Sequence, residues 1–402
     1  MKYRWLIFFS LLGGLLWYTV IQAESLWPSH PVLAGLCTVI LFIFMFSWQF
    51  LARAGASRLD SRAFRLFAWI GSFLLGIWAT FVVIWAPIDI GRDLYFTGHK
   101  YLASGHLDIL RFLHQGQWML GGIVILSCGL AGLGLEEALS GPRVVEVEIP
   151  VPDLPSELIG LKIVQVTDLH VGPMIRHGYV EEMVRQVMEL KPDLIAVTGD
   201  LADGTVDVLS RQVEPLSGLK APLGVYFVTG NHEYYWGVDA WLKKVRELGF
   251  KTLLNENHVV SVKGVRMLIA GVTDLEANHF TPEHRSDPKK AIGSDQSTTF
   301  KLLLAHRPTS CFEAEPLGFD LQLSGHTHGG QFFPFSEFIR FFYKYYRGLN
   351  RHKRMWVYVN PGTGYWGPPH RFLVPAEITL LRLTNDAPTL AVGEQSGRAL
   401  SP

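Results

Sequence analysis

A multi-pass α-helical membrane domain followed by an α/β sandwich is the fold class this sequence predicts, and three observations carry it. Four apolar runs free of Asp, Glu, Lys, Arg and His fill the first third of the chain. Beyond them, short apolar strands alternate with helical segments. Several of those strands run straight into Asp, Asn or His. The division expected is 1–140 for the membrane helices, 141–390 for the sandwich and 391–402 for a flexible tail. Composition agrees: 49% of the 402 residues are hydrophobic and only 18% are charged, the balance of a chain half in lipid and half in water.

The apolar runs cover residues 5–22, 31–50, 66–86 and 117–135. Each is close to the ~20 residues that cross a hydrocarbon core. Lys2 and Arg4 precede the first run, as in a signal peptide, but Ile-Gln-Ala-Glu after it is a weak cleavage site and a second long run follows. Residues 23–30 hold no Lys or Arg, whereas the next loop carries Arg53, Arg58, Arg62 and Arg65. That bias puts both ends inside, giving four spans in the plasma membrane (the inner membrane, in a bacterium) and a cytoplasmic sandwich. The third loop, with Arg92, Lys100 and Arg111, counts against it. Charge-free spans favour an anchor over an ion pathway or transporter. A metal site at His99, His106 and His114 in the third loop is conceivable, but their spacing fits no helix face well, and solvated or interfacial histidines are the commoner case. Leu107, Ile109, Leu110, Phe112 and Leu113 beside them read as a helix lying in the interface. Cys37, Cys128 and Cys311 form no disulfide framework. Lys+Arg and Asp+Glu both number 36, so charge gives no sign of a nucleic-acid partner.

In the second part, 143–150 reads as a strand or linker. The compact apolar segments KIVQVT (162–167), DLIAVT (193–198), GVYFVT (224–229), KLLLA (301–305), DLQLS (320–324) and WVYV (356–359) read as strands buried on both faces. Helical periodicity marks 178–190 and 238–248, a hairpin spans 259–272 around Lys263-Gly264, and 377–383 is a late strand. The β-α-β-α-β order is that of an α/β sandwich.

Strand ends carry the chemistry. KIVQVT leads into Asp168-Leu169-His170, DLIAVT into Gly199-Asp200, GVYFVT into Gly230-Asn231-His232-Glu233, KLLLA into His306, and DLQLS into Gly325-His326-Thr327-His328. Carboxyl ends of strands are where α/β sheets place ligands. Mixed oxygen and imidazole donors suit Mn, Fe or Zn. Taken singly, each fragment is more often structural: Gly-Asp after a strand is usually a turn, and a lone His a hydrogen-bonded core residue. The ordered set is what chance rarely produces.

The series DLH, GD, GNHE, H and GHTHGG resembles the calcineurin-like metallophosphoesterases over about residues 161–383. GHTHGGQ and the later NPGTGYWGPPHRF are most similar to a bacterial branch that often carries amino-terminal membrane segments. Some members of the wider group hydrolyse UDP-2,3-diacylglucosamine. The resemblance implies a four-layer αββα sandwich with two divalent metal ions, and it assigns roles. Asp168, His170 and His328 would hold the first ion, and Asn231, His306 and His326 the second. Asp200 would bridge them. His232 would be catalytic, assisting the leaving group rather than binding metal, with Glu233 either orienting it or shaping the turn. Two ions ~3.5–4 Å apart activate water and neutralise phosphoryl charge.

Residues 332–346, FFPFSEFIRFFYKYY, mix aromatics with Arg340 and Lys344, and Tyr365-Trp366-Gly367-Pro368-Pro369 extends the pattern. One reading is a core helix with a surface loop. The other is an interfacial rim against the bilayer, which would make the phosphoester substrate amphiphilic. No aromatic and basic groove of the kind that binds single-stranded nucleic acid is evident. The function expected is a metal-dependent, membrane-anchored phosphohydrolase acting on a phosphodiester, pyrophosphate or monoester. A membrane sensor or scaffold with a non-catalytic metal site is the alternative.

Overall fold

The computed structural model describes residues 2–54, 61–102, 117–294, 297–385 and 398–399. His106, His114, the interfacial helix expected at 107–113 and most of the tail lie outside them.

Among the described residues, four helices occupy the first part: α1 (Lys2–Leu26), α2 (Pro31–Ala54), α3 (Arg62–Leu102) and α4 (Gln117–Leu139). Among the described residues, two helical stretches are long and apolar enough to cross a membrane, Arg62–Tyr95 of α3 and Trp118–Leu139 of α4. The apolar stretch of α2, Pro31–Ser47, is shorter. The charge-free span expected to end at residue 86 is one part of a longer helix. α3 runs on through Pro87 for 41 residues and brings Asp89 and Arg92 with it. Asp89 is buried there because its carboxylate is satisfied: Tyr18 Oη (3.0 Å) and Gln22 Nε2 (2.9 Å) of α1 donate to it, and Arg92 pairs with it at 2.5 Å.

The second part is built on two stacked sheets. One has the order β13-β1-β12-β2-β3-β4-β5, the other β10-β11-β9-β8-β7-β6. The strands are β1 (Arg143–Pro150), β2 (Lys162–Val166), β3 (Leu194–Val197), β4 (Val225–Phe227), β5 (Lys251–Thr252), β6 (Glu256–Val262), β7 (Val265–Gly271), β8 (Phe300–Leu304), β9 (Leu321–Ser324), β10 (Gly348–His352), β11 (Met355–Val359), β12 (Glu377–Thr384) and β13 (Arg398–Ala399). The apolar runs alternate between two cores, as a period of two requires. Ile163, Leu194, Ala196, Met267, Ile269, Leu302 and Leu304 pack between the sheets. Val164, Ile195 and Val197 face the helices His177–Glu189 and Val238–Glu247 on one outer side, and Leu268, Ala270 and Leu303 face Ala291 and Cys311 on the other. The result is a helix–sheet–sheet–helix sandwich. Lys263 and Gly264 both take positive φ (50° and 93°) in the expected hairpin, the two-residue turn whose twist suits antiparallel strands.

Topology sets which end of the sandwich meets the helices. β1 follows α4 directly. β12 is parallel to β1, and β2 is antiparallel to β12. The carboxyl ends of β2, β3 and β4 therefore lie at the same edge as the start of β1, where α4 ends.

Candidate metal centre

The parallel register of β2 and β3 pairs Val166 with Val197 and sets the two following turns side by side. Asp168 N donates to Gly199 O (3.0 Å) and His170 N to Asp200 O (3.1 Å). The turn after β4 brings Asn231 and His232 beside them. Across the stack, β8 and β9 deliver His306, His326 and His328 to the same edge. Asp168, His170, Asp200, His326 and His328 all hold positive φ, between 50° and 70°. L-residues rarely adopt that region, and clusters of it mark functional sites. Gly325 and Gly230 are required by close approach: a Cβ would stand 2.0 Å from Asp168 Oδ2 at the first and 2.1 Å from Asp200 Oδ1 at the second.

Asp168, His170 and His328 present donor atoms that lie within 4.8 Å of one another, and so do Asp200, His306 and His326. His170 Nε2 and His328 Nε2 face each other at 3.1 Å, with Asp168 Oδ1 3.4 Å from His328 Nε2. Asp200 Oδ2 sits between the groups, 3.3 Å from His306 Nε2 and 3.8 Å from His170 Nε2. The donors fit a bound cation. His306 is fully enclosed: its Nδ1 lies 2.8 Å from Thr198 O, while its Nε2 has no hydrogen-bond partner. His326 Nε2 lies 3.1 Å from Tyr343 Oη, which leaves Nδ1 as its free donor. Asn231 is buried on the turn before His232, its Oδ1 3.4 Å from Arg307 Nη2.

The electrostatics suit the same reading. Burial opposes ionisation of Asp168 and Asp200, but the surrounding histidines outweigh it and hold both carboxyls below the usual range. Burial, the neighbouring Arg307 and His306 keep His326 neutral. Burial likewise lowers His328 to about 4, against the pull of Asp168. His306 is the exception: Asp200 and Asp168 overcome burial and raise it to about 10.

Three contributors escaped the sequence reading. Asp203 Oδ1 accepts from His170 Nδ1 (3.1 Å) and from His232 Nδ1, fixing both rings so that their Nε2 atoms face the cluster. The signal was a second carboxylate three residues after Gly199-Asp200. Asp200 and Asp203 lift His232 to about 9 against the effect of burial. Arg371, fully buried in the NPGTGYWGPPHRF stretch, donates to Pro361 O (2.8 Å), Gly364 O (3.1 Å) and His328 O (3.3 Å). Tyr343 is the third. Glu233 proves to be a turn residue: its carboxylate accepts from the backbone of Gly230 (2.7 Å), Leu201 (2.8 Å) and Asp200 (3.1 Å), pinning the β3 and β4 turns together.

A family model described as calcineurin-like phosphoesterase matches residues 161–330. A Danio rerio protein named as a transmembrane protein with metallophosphoesterase domain is 38% identical over 265 residues, 64% of this chain and 60% of that one. A Bos taurus protein of the same name is 39% identical over 273 residues, 65% and 61% of the two chains. The chain thus spans about 60% of the length of these two relatives. A Helicobacter pylori protein, named as an uncharacterized metallophosphoesterase, is 35% identical over 301 residues, 72% of this chain and 77% of that one. The chain belongs to the calcineurin-like metallophosphoesterase family.

Proposed function

We propose that this chain is a membrane-anchored phosphohydrolase, with helices in 1–140 as the anchor and the domain of 141–390 as the catalyst. The observation that carries it is Asp200, which shares one donor group with His306 and His326 and another with His170 and His232, the His232 Nε2 atom lying 3.8 Å from Asp200 Oδ2. Asp168, His170 and His328 would hold one divalent ion and Asn231, His306 and His326 the other, with Asp200 shared; the donor types suit Mn, Fe or Zn. Bound ions supply the Lewis acidity that activates water and neutralises phosphoryl charge. The protein's own part is to place these donors, exclude water and manage one proton. Asp203 holds the Nδ1 side of His232, so Nε2–H points into the site and can donate to the leaving oxygen. That arrangement favours catalysis over a scaffold, which would have no use for a histidine poised so.

The substrate is a phosphoester, and the aromatic rim supports a lipid-linked one. The four-span topology with a cytoplasmic catalytic domain rests on the Arg-rich loop before α3. The test is phosphate or nucleotide release by detergent-purified protein with added Mn. The panel sets soluble diesters beside lipid-linked ones, including a UDP-diacylglucosamine, with Asp200→Asn as control. Mn-dependent release that vanishes in the control supports the reading. Turnover of soluble esters alone sinks the lipid substrate. No release from any substrate favours the sensor or scaffold. A reporter fused at the carboxyl end tests sidedness.

A further inference from the structure

We infer that the aromatic segment 332–342 is seated in the bilayer beside α3 and α4, so that the mouth of the metal site opens at the lipid surface. The inference rests on the anchored reading, and three observations carry it.

The first is height. The loop after the metal site is built into the helix pair. Arg371 N donates to Gly134 O of α4 (2.9 Å), and His370 Nε2 lies 3.0 Å from Thr80 Oγ1 of α3. Since Thr80 Oγ1 donates to Gly76 O (2.8 Å), it accepts from His370. Gly134 has no room for a side chain: a Cβ would stand 1.7 Å from His370 Nδ1. Gly76 and Thr80 fall in the middle of the apolar stretch Arg62–Tyr95. From Trp118 to Gly134, α4 climbs about 24 Å at ~1.5 Å per residue, less than the ~30 Å hydrocarbon core. A loop packed on the helices at that height lies at or below the headgroups, not in water.

The second is continuity. Phe332 stacks on His370 with ring centroids 4.3 Å apart and planes 9° off parallel, and Phe333 N donates to Phe372 O (2.9 Å). The aromatic segment therefore starts from the helix-bound loop. It then turns Phe341 and Phe342 outward, each 79% exposed. Two adjacent phenylalanines so displayed are costly in water and at home in acyl chains. Arg340 and Lys344 flank them, as at a headgroup layer.

The third is the position of the site. Tyr343, the next residue after the segment, meets His326, and the Trp366 ring of the helix-bound loop has its centroid 6.0 Å from that of His232. The strand ends that form the site share the edge where α4 ends. A phosphoester carried in the leaflet would meet the site without leaving the interface.

The test uses the full chain in phosphatidylcholine–phosphatidylglycerol nanodiscs. Cys37, Cys128 and Cys311 are replaced by Ala, and a nitroxide is placed by Phe341→Cys, Phe342→Cys, Ile125→Cys or Ile159→Cys. Ile125 is an outward-facing position of α4, 75% exposed, and Ile159 lies beyond the far end of β1. Collision with oxygen is compared with collision with a water-soluble nickel chelate. The expected result is that labels at 341 and 342 favour oxygen several-fold, as at 125, while 159 favours nickel. Water exposure at 341 and 342 with lipid exposure at 125 overturns the docking and leaves the anchor standing. Water exposure at 125 overturns the anchored reading itself.

Discussion

Removing Asp203 should separate two jobs that the structure assigns to one carboxylate. Its Oδ1 accepts from His170 Nδ1 at 3.1 Å and from His232 Nδ1. The His170 bond fixes a proposed metal ligand, and losing such a partner typically costs about 10–100-fold in metal affinity or activity. The His232 bond helps keep that ring cationic; with Asp200 it raises the imidazole to about 9 despite burial. Without Asp203, less of His232 carries the proton near neutral pH, and its Nε2–H is no longer aimed. A hydrogen bond to a charged group contributes about 1.5–3 kcal/mol, so this second loss is worth about 10–100-fold on a reaction that needs the proton. Asp203→Ala should therefore lower turnover of a p-nitrophenyl ester about 10–100-fold at subsaturating Mn, with recovery as Mn is raised. Turnover of an alkyl phosphoester, whose leaving group is poor, should stay about tenfold or more further down even at saturating Mn. The assay is kcat against Mn concentration for both esters. Full recovery of both at high Mn would refute the His232 half of the argument, and no Mn dependence would refute the His170 half.

His232→Ala should retain metal, measured by elemental analysis, and lose most turnover; equal activity on a poor leaving group would refute its role as donor. Gly134→Ala forces a methyl against His370, and overpacking of this kind costs about 1–3 kcal/mol. A lower Tm for the detergent-solubilised protein is expected, with partial relief in the Gly134→Ala, His370→Ala double variant. Metal binding should strengthen with pH. In the metal-free protein His306 is raised to about 10 by Asp200 and Asp168 against burial, so it holds a proton at neutral pH that an ion must displace. Displacing that proton grows easier as pH rises, so calorimetry between about pH 6 and 9 should show steadily tighter Mn binding with release of about one proton, a release that shrinks only as pH approaches about 10.

Much of this protein is legible in its sequence because the signals are local. Continuous apolar runs mark strands buried on both faces, and an Asp, Asn or His just after such a run is already at a sheet's ligand-binding edge. The limits appear where partners are far apart in the chain. The third helix outruns its apolar run because Tyr18 and Gln22 of α1 satisfy Asp89, a pairing no window around residue 89 reveals. β10 has no signal of its own in the sequence, since Gly348–His352 is largely polar and owes its pairing to β11. Glu233 looked equally suited to two roles until three backbone donors claimed its carboxylate.

By itself, then, the sequence determined the two-part organisation, the sandwich class and the identity of the residues at the strand ends, because periodicity and adjacency are short-range properties. Only the tertiary structure decided how they are used. It joined Asp203 to His170 and His232, set Arg371 beneath His328, and wedged His370 between α3 and α4 at the edge where the site opens. Those relations depend on which strands run parallel and which helix ends meet them, and long-range pairing sets that rather than local preference.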